Sequence, residues 1–261
     1  MISSTGNAQI KEVVSLRRKG KVRKEMGLFL VEGPRMFQEV PSERLVKTFV
    51  SESFLKKQEN RELLTGVRYE EVSDAVMQYM ADTQTPQGIL AEVRQMNWKI
   101  EDMLKEKEPS LILLETLQDP GNLGTILRAA EGAGISGVIM NMETVDIYNP
   151  KVIRSTMGAV YRLPFVYAKD WAGTLNYLKE QGIRLYAAHL EAEHCYEEED
   201  YTRGSGFLIG NEGNGLTDET AQMADSYIKI PMAGKVESLN AAVAASVLMF
   251  EAARQRRRNK R

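Results

Sequence analysis

The chain has 261 residues, 43% apolar and 27% charged, with a net charge of only −2. That profile fits one large or two ordinary globular domains, and no apolar run is long enough for a membrane span. The single cysteine, Cys195, excludes an internal disulfide, and the opening MISSTGNAQIKEVVSL lacks the apolar core of a secretion signal, so a cytoplasmic protein with no membrane partner is expected.

In chain order, residues 1–15 predict a short helix. RRKGKVRK (17–24) follows, with six basic residues in eight. FLVEG (29–33) predicts a strand, and Pro34 a helix start. LVKTFVS (45–51) alternates as a strand does. SDAVMQYMAD (73–82) predicts a helix capped by Ser73. QGILAEVRQ (87–95) predicts another strand. A small α/β domain is therefore expected over 1–98, with the charged WKIEDMLKEKEPS stretch giving a linker over 99–109.

LILLETL (111–117) opens a second block as a continuous apolar run, the mark of a strand buried on both faces. A helix at 122–134, a strand at 137–141, a helix at 149–164 and a strand at 165–168 follow. Then come a helix at 171–182, strands at 184–190 and 206–210, a helix at 217–226, a short strand at 227–231 and a long helix at 238–255. This alternation predicts an α/β fold with a parallel sheet covered by helices on both faces over 110–261. The tail RQRRRNKR (254–261) is again six basic residues in eight. Basic segments on a near-neutral body point to a polyanion such as RNA, and equally describe solvated helix ends and a frayed tail.

Three loops fall where an open α/β sheet binds ligands, after the strands: QDPGNLGTILRAA (118–130), IGNEGNGL (209–216) and IPMAGKVESLNAAVAAS (230–246). The second is glycine-rich, yet it has no Lys-Ser/Thr pair to hold phosphates and no GxGxxG spacing. A carboxylate among backbone N–H groups would repel a phosphate and suits a cation, an amine or a guanidinium. His189, His194 and Cys195 lie close together, but a fourth ligand at the usual spacing is missing, so no metal is expected.

Together the three loops resemble the signature motifs of SpoU-type (TrmH-like) RNA 2′-O-ribose methyltransferases of the SPOUT superfamily. Asn122, Gly124 and Arg128 match the first, Glu212 the second, and Ser238 and Asn240 the third. FLVEGPRMFQEV and TPQGILAEV resemble the small, ribosomal-protein-like substrate-binding domain that precedes many relatives. The resemblance implies a SPOUT-type parallel sheet with a C-terminal trefoil knot, S-adenosylmethionine as cofactor, and a homodimer, to which the apolar helix 238–255 also points. It implies an RNA substrate, with 23S ribosomal RNA expected and a tRNA or a non-catalytic RNA-binding role as the alternatives. Gly210, Ile230 and Leu239 are the implied cofactor contacts. Asn122, Arg128, Glu212, Ser238 and Asn240 are the implied catalytic set. The resemblance assigns Arg128 to the ribose hydroxyl, either as the base or by binding the neighbouring phosphate and stabilising the developing alkoxide; a permanently charged guanidinium makes the first role costly. Asn122 is expected to fix Arg128 or the ribose, and Glu212 to orient a guanidinium or an amide.

Overall fold

A computed structural model of the chain describes residues 1–259; Lys260 and Arg261 of the basic tail lie outside the described residues. The chain forms two compact units, one of Met1–Asn97 with Asp146–Tyr161 and the other of Trp98–Val145 with Arg162–Arg261. The sequence boundaries near residues 98 and 110 thus leave out one feature. A segment from the middle of the second block belongs to the first unit.

The first unit is built on a four-stranded sheet of β1 (Leu28–Glu32), β2 (Leu45–Ser51), β3 (Glu70–Val72) and β4 (Ile89–Arg94), in the order β1-β4-β2-β3. β4 runs antiparallel to β1 and β2, whereas β3 is parallel to β2. One face packs against helices Ala8–Arg18 and Asp74–Met80 through Ile10, Val13, Leu16, Val76, Met77 and Met80. Ser73 caps the second helix, its Oγ accepting from the Val76 N–H at 3.3 Å. Phe29 packs on Tyr148 and Tyr161 of the inserted segment, with ring centroids 4.9 and 6.4 Å apart. The basic run 17–24 is not a free arm. Its last five residues lie in the helix Gly20–Met26. Arg23 is buried, donating to Asp146 at 2.6 and 2.9 Å and to the Leu16 carbonyl at 2.6 Å. Arg17 caps the carbonyls of Tyr79, Met80 and Ala81. Arg18, Lys19, Lys21 and Lys24 remain exposed.

The second unit carries β5 (Ser110–Leu114), β6 (Gly137–Asn141), β7 (Phe165–Ala168), β8 (Arg184–Ala188), β9 (His194–Cys195), β10 (Ser205–Ile209) and β11 (Ser226–Lys229). They form one wholly parallel sheet in the order β7-β6-β5-β10-β8-β11-β9. β5, β6 and β10 are buried at every position, which explains their unbroken apolar runs. The chain leaves β5 towards β6 on one side, while β10 lies on the other, so the sheet has a switch point between β5 and β10. Helix Pro120–Ala133 starts at the end of β5, and the terminal helix Ala241–Asn259 packs on it and on β10.

Two helices differ from their sequence ranges for local reasons. The helix expected over 149–164 stops at Thr156, because Met157 takes a left-handed conformation at φ 49°, and only a 3-10 turn at Ala159–Tyr161 follows. The last helix starts at Ala241 rather than Ser238. The side chain of Asn240 is its cap, with Oδ1 accepting from the N–H groups of Ala242 at 2.9 Å and Val243 at 3.3 Å. Ser238 and Leu239 therefore stay in the loop.

Candidate active site

β10, β8 and β11 are neighbours, and the loops that follow them line one cleft of about 480 Å³. Its walls include Ile209, Leu216, Ile228, Ile230, Leu239 and Leu248, together with residues 210–215, and Glu191, Asp218 and Glu237 are among the polar residues. The size and the mixture of apolar walls with polar and charged groups, Glu212 and Lys229 among them, suit a nucleoside-sized ligand.

The loop Gly210–Gly215 explains its own glycines. The N–H of Asn211 donates to the Gly215 carbonyl and the N–H of Gly215 to the Asn211 carbonyl, both at 2.9 Å, so the loop closes on itself. Gly215 sits at φ +70°, where other residues are strained. A Cβ at Gly210 would lie 2.1–2.2 Å from backbone atoms of Gly215 and Leu216. The missing side chain at 210 is thus required by the loop's own closure.

Glu212 faces neither a guanidinium nor a cation. Its carboxylate accepts from the N–H groups of Gln118 at 3.1 Å and Asp119 at 2.9 Å, and from the side-chain amide of Asn122 at 3.0 Å. These donors lie at and just before the start of helix Pro120–Ala133, where an anion is favoured. Partial burial is the largest single influence and raises the carboxyl pKa, but the bonds from Asn122, Gln118 and Asp119 outweigh it, leaving the group below its ordinary value and ionised. The other end of the Asn122 amide accepts from Asn240 Nδ2 at 3.0 Å. Glu212, Asn122 and Asn240 therefore form a continuous brace across the three motif loops.

Among the described residues Asn122 bonds Glu212 and Asn240, and no hydrogen bond joins it to Arg128. Arg128 is exposed on the same helix and makes no hydrogen bond or ion pair among the described residues. Ser238 lines the cleft without a hydrogen-bond partner among those residues. Gly210, Ile230 and Leu239 all line it too. The structure brings together Glu212, Asn122 and Asn240 directly, and Ser238 with the three expected cofactor contacts around the cleft, leaving Arg128 free. His189 instead packs at a tilt against Tyr227, with ring centroids 5.1 Å apart, and His194 lies 3.7 Å from Glu198. No cluster of three or more His, Cys, Asp or Glu side chains that could hold a metal exists among the described residues.

Sequence reasoning missed the polar residues beneath the loops. Glu115, buried at the end of β5, accepts from the Thr217 N–H at 2.8 Å and hydroxyl at 2.9 Å, and from the Thr220 hydroxyl, fixing the chain that leaves the cleft loop. Asn141, buried at the end of β6, holds Thr116. Their only sequence signal is a polar residue closing an apolar run.

Residues 109–250 match the family model described as SpoU rRNA Methylase family, and residues 7–91 match the MRM3-like substrate binding domain. The chain belongs to the SpoU rRNA methylase family. Among SpoU relatives, it is 31% identical to the 23S rRNA (guanosine(2553)-2'-O)-methyltransferase RlmP of Bacillus subtilis, over 95% of this chain and 97% of that protein. It is 30% identical to the human mitochondrial rRNA methyltransferase 3, over 97% of this chain and 73% of that one. Among solved structures, the SpoU methyltransferase AviRb from Streptomyces viridochromogenes, in complex with the cofactor AdoMet, superposes with a TM-score of 0.87 at 27% identity, covering 96% of this chain and 98% of that chain.

Proposed function

We propose that this SpoU protein transfers a methyl group from S-adenosylmethionine to a ribose 2′-hydroxyl of ribosomal RNA, with 23S rRNA the expected target, in the cytoplasm and as a homodimer. The observation that carries the reading is the brace Glu212–Asn122–Asn240, which ties the three motif loops together at the cleft formed after β8, β10 and β11. The cleft suits the cofactor: its apolar walls take the adenine, and Glu191, Asp218 and Glu237 complement a sulfonium and an ammonium. When bound, the cofactor supplies a methyl carbon already activated by positive sulfur.

The protein's own contribution is alignment and charge. Asn122 and Glu212 hold the start of the helix that presents Arg128. The free guanidinium of Arg128 is then available to the RNA, to the ribose hydroxyl or to its phosphate. Ser238 lies in the cleft wall, and Asn240 caps the last helix and joins it to Asn122. The first unit, with its substrate-binding match at 7–91, holds the RNA, and the exposed Arg18, Lys19, Lys21 and Lys24 supply phosphate contacts. Threading of the C-terminal segment into a knot is part of the same proposal.

Mapping 2′-O-methylation in ribosomal and transfer RNA from a strain lacking the gene tests the reading. One ribosomal position should lose its methyl group and regain it with the purified chain and S-adenosylmethionine. Loss confined to a tRNA, or no loss at all, would overturn the rRNA assignment.

A further inference from the structure

The lead-in from β5 to the helix that carries Asn122 and Arg128 passes through a residue in an unfavourable conformation. Thr116 has φ +55°, a left-handed value that a β-branched side chain rarely adopts. Each of its polar groups is engaged. Its N–H donates to Asn141 Oδ1 at 2.9 Å, and Asn141 Nδ2 donates to its Oγ1 at 2.9 Å. Its carbonyl accepts from Asn211 Nδ2 at 2.9 Å and from Gln118 Nε2 at 3.4 Å.

Asn141 and Asn211 are themselves fixed. Asn141 Oδ1 also accepts from the N–H and the hydroxyl of Thr144, at 3.1 and 2.9 Å. Asn211 lines the cleft, and its Oδ1 accepts from the N–H groups of Gly213 and Asn214 at 2.9 and 3.1 Å. One strained residue thus joins the end of β6, the cleft loop and the lead-in to the motif helix. A turn alone would be made at no conformational cost by glycine, so an outlier held by four side-chain bonds marks a site where the side chain is used.

We infer that Thr116 and Asn141 are positioning residues for methyl transfer. They set the register between the cleft loop at Asn211 and the start of the Arg128 helix, and therefore the place of the guanidinium relative to the cofactor. Neither residue lines the cleft. The N–H groups that Glu212 clamps belong to Gln118 and Asp119, only two and three residues beyond Thr116, so slack at 116 passes directly into the brace. The inference rests on the methyltransferase reading.

The test uses the full chain in single-turnover methylation, with saturating S-adenosylmethionine and ribosomal RNA from a strain lacking the gene. Thr116→Gly keeps the main-chain bonds and removes the strain together with the hydroxyl anchor. It should melt at or above the wild-type temperature, bind cofactor and RNA within about threefold of wild type, and lose at least about tenfold in the chemical rate. Asn141→Ala should show the same loss of rate. Thr116→Asn tolerates the left-handed backbone and offers an amide to Asn141, so it should recover most of the rate. A Thr116→Gly rate within about twofold of wild type overturns the inference. So does a Thr116→Gly protein that unfolds, or a deficit that Thr116→Asn leaves unrepaired. Failure of the wild-type chain to methylate any RNA would instead remove the methyltransferase reading.

Discussion

An exposed guanidinium without a carboxylate partner contributes little to folding, which makes Arg128 a clean site to test chemistry. Arg128→Ala should keep the wild-type melting temperature and cofactor affinity, yet lose methyl transfer almost entirely. Arg128→Lys separates the two roles. If the planar fork clamps a phosphate, Lys is nearly as damaging as Ala at every pH. If proton removal dominates, the Lys variant gains activity as pH rises toward about 10, the ordinary lysine range. Single-turnover rates across pH decide between them, and near wild-type rates in Arg128→Ala would remove the residue from the mechanism. A second residue carries a different pH signature. Glu92 is buried on β4, its Oε1 has no hydrogen-bond partner, and Glu12 and Lys47 are the charged groups acting on it. Burial, with a smaller push from Glu12, raises its pKa from 4.5 to about 7, against the pull of Lys47. A carboxyl raised in the folded state favours the protonated form, so the fold is penalised progressively as pH rises from the unfolded value to the folded one. Glu92→Gln should therefore be neutral near pH 4 and increasingly stabilising up to about pH 7, by about 3 kcal/mol at the plateau. Urea unfolding at pH 4, 5.5 and 8 checks it; an equal effect at all three would show that Glu92 does not titrate in this window. Of these residues, Arg128 stands out in the sequence because it lies at a fixed spacing from Asn122 within one helix. Thr116 and Asn141 do not, because their bonds join positions 25 residues apart and neither has a distinctive local pattern.

The secondary elements were readable where burial is simple. Strands buried on both faces show as unbroken apolar runs, as in SLILL, GVIMN and SGFLI. The short strands Glu70–Val72 and His194–Cys195 lie at sheet edges, and three or two residues are too few to set a period. The terminal helix is the instructive case. Its sequence looks apolar nearly all round, and its buried positions Ala242, Ala245, Leu248, Met249, Ala252 and Ala253 define the face turned to the protein. The opposite side exposes Val243 at 48% and Phe250 at 47%. These two lie seven residues apart, two turns along one stripe, and Val247 between them is half-buried. Such a stripe on a helix of the catalytic unit is the surface by which the proposed homodimer would form. Light scattering at micromolar concentration should give twice the chain mass of 29.4 kDa. Val243→Glu with Phe250→Glu should reduce it to one chain while leaving cofactor binding in place. A wild-type mass of one chain would exclude the dimer. The basic end of the same helix is partly structural. Arg256 donates to the carbonyls of Glu108, Pro109, Tyr201 and Arg203, so only Arg257 and Arg258 among its described arginines stay exposed without a bond shown to the protein.

At the scale of the whole chain, the sequence suggests two consecutive blocks that could be cut apart near residue 98. The structure argues otherwise, because Asp146–Tyr161 lies in the middle of the second block and packs in the first unit. Local pattern could not show this: the segment reads as an ordinary amphipathic helix, and only long-range packing assigns its apolar face. That packing is substantial. Ile147, Val152, Ile153 and Val160 are buried, Tyr148 and Tyr161 lie against Phe29, Asp146 pairs with Arg23, and Arg154 pairs with Asp82 at 2.7 Å. Exposing the four aliphatic side chains alone costs roughly 6–12 kcal/mol at about 1.5–3 kcal/mol each, which is comparable with the net stability of a domain at about 5–15 kcal/mol. A fragment of residues 98–261 is therefore expected to be unstable, although it contains every motif residue and the entire seven-stranded sheet. It should aggregate or melt well below the full chain, and calorimetry should find weakened or absent S-adenosylmethionine binding. Adding residues 1–97 as a separate polypeptide should restore both, because the missing partner of 146–161 is then supplied in trans. If the fragment instead binds cofactor with full-length affinity and melts cooperatively at the same temperature, the inserted segment adds nothing to the stability of the catalytic unit. The first unit's proposed contact with RNA would then be independent of that stability.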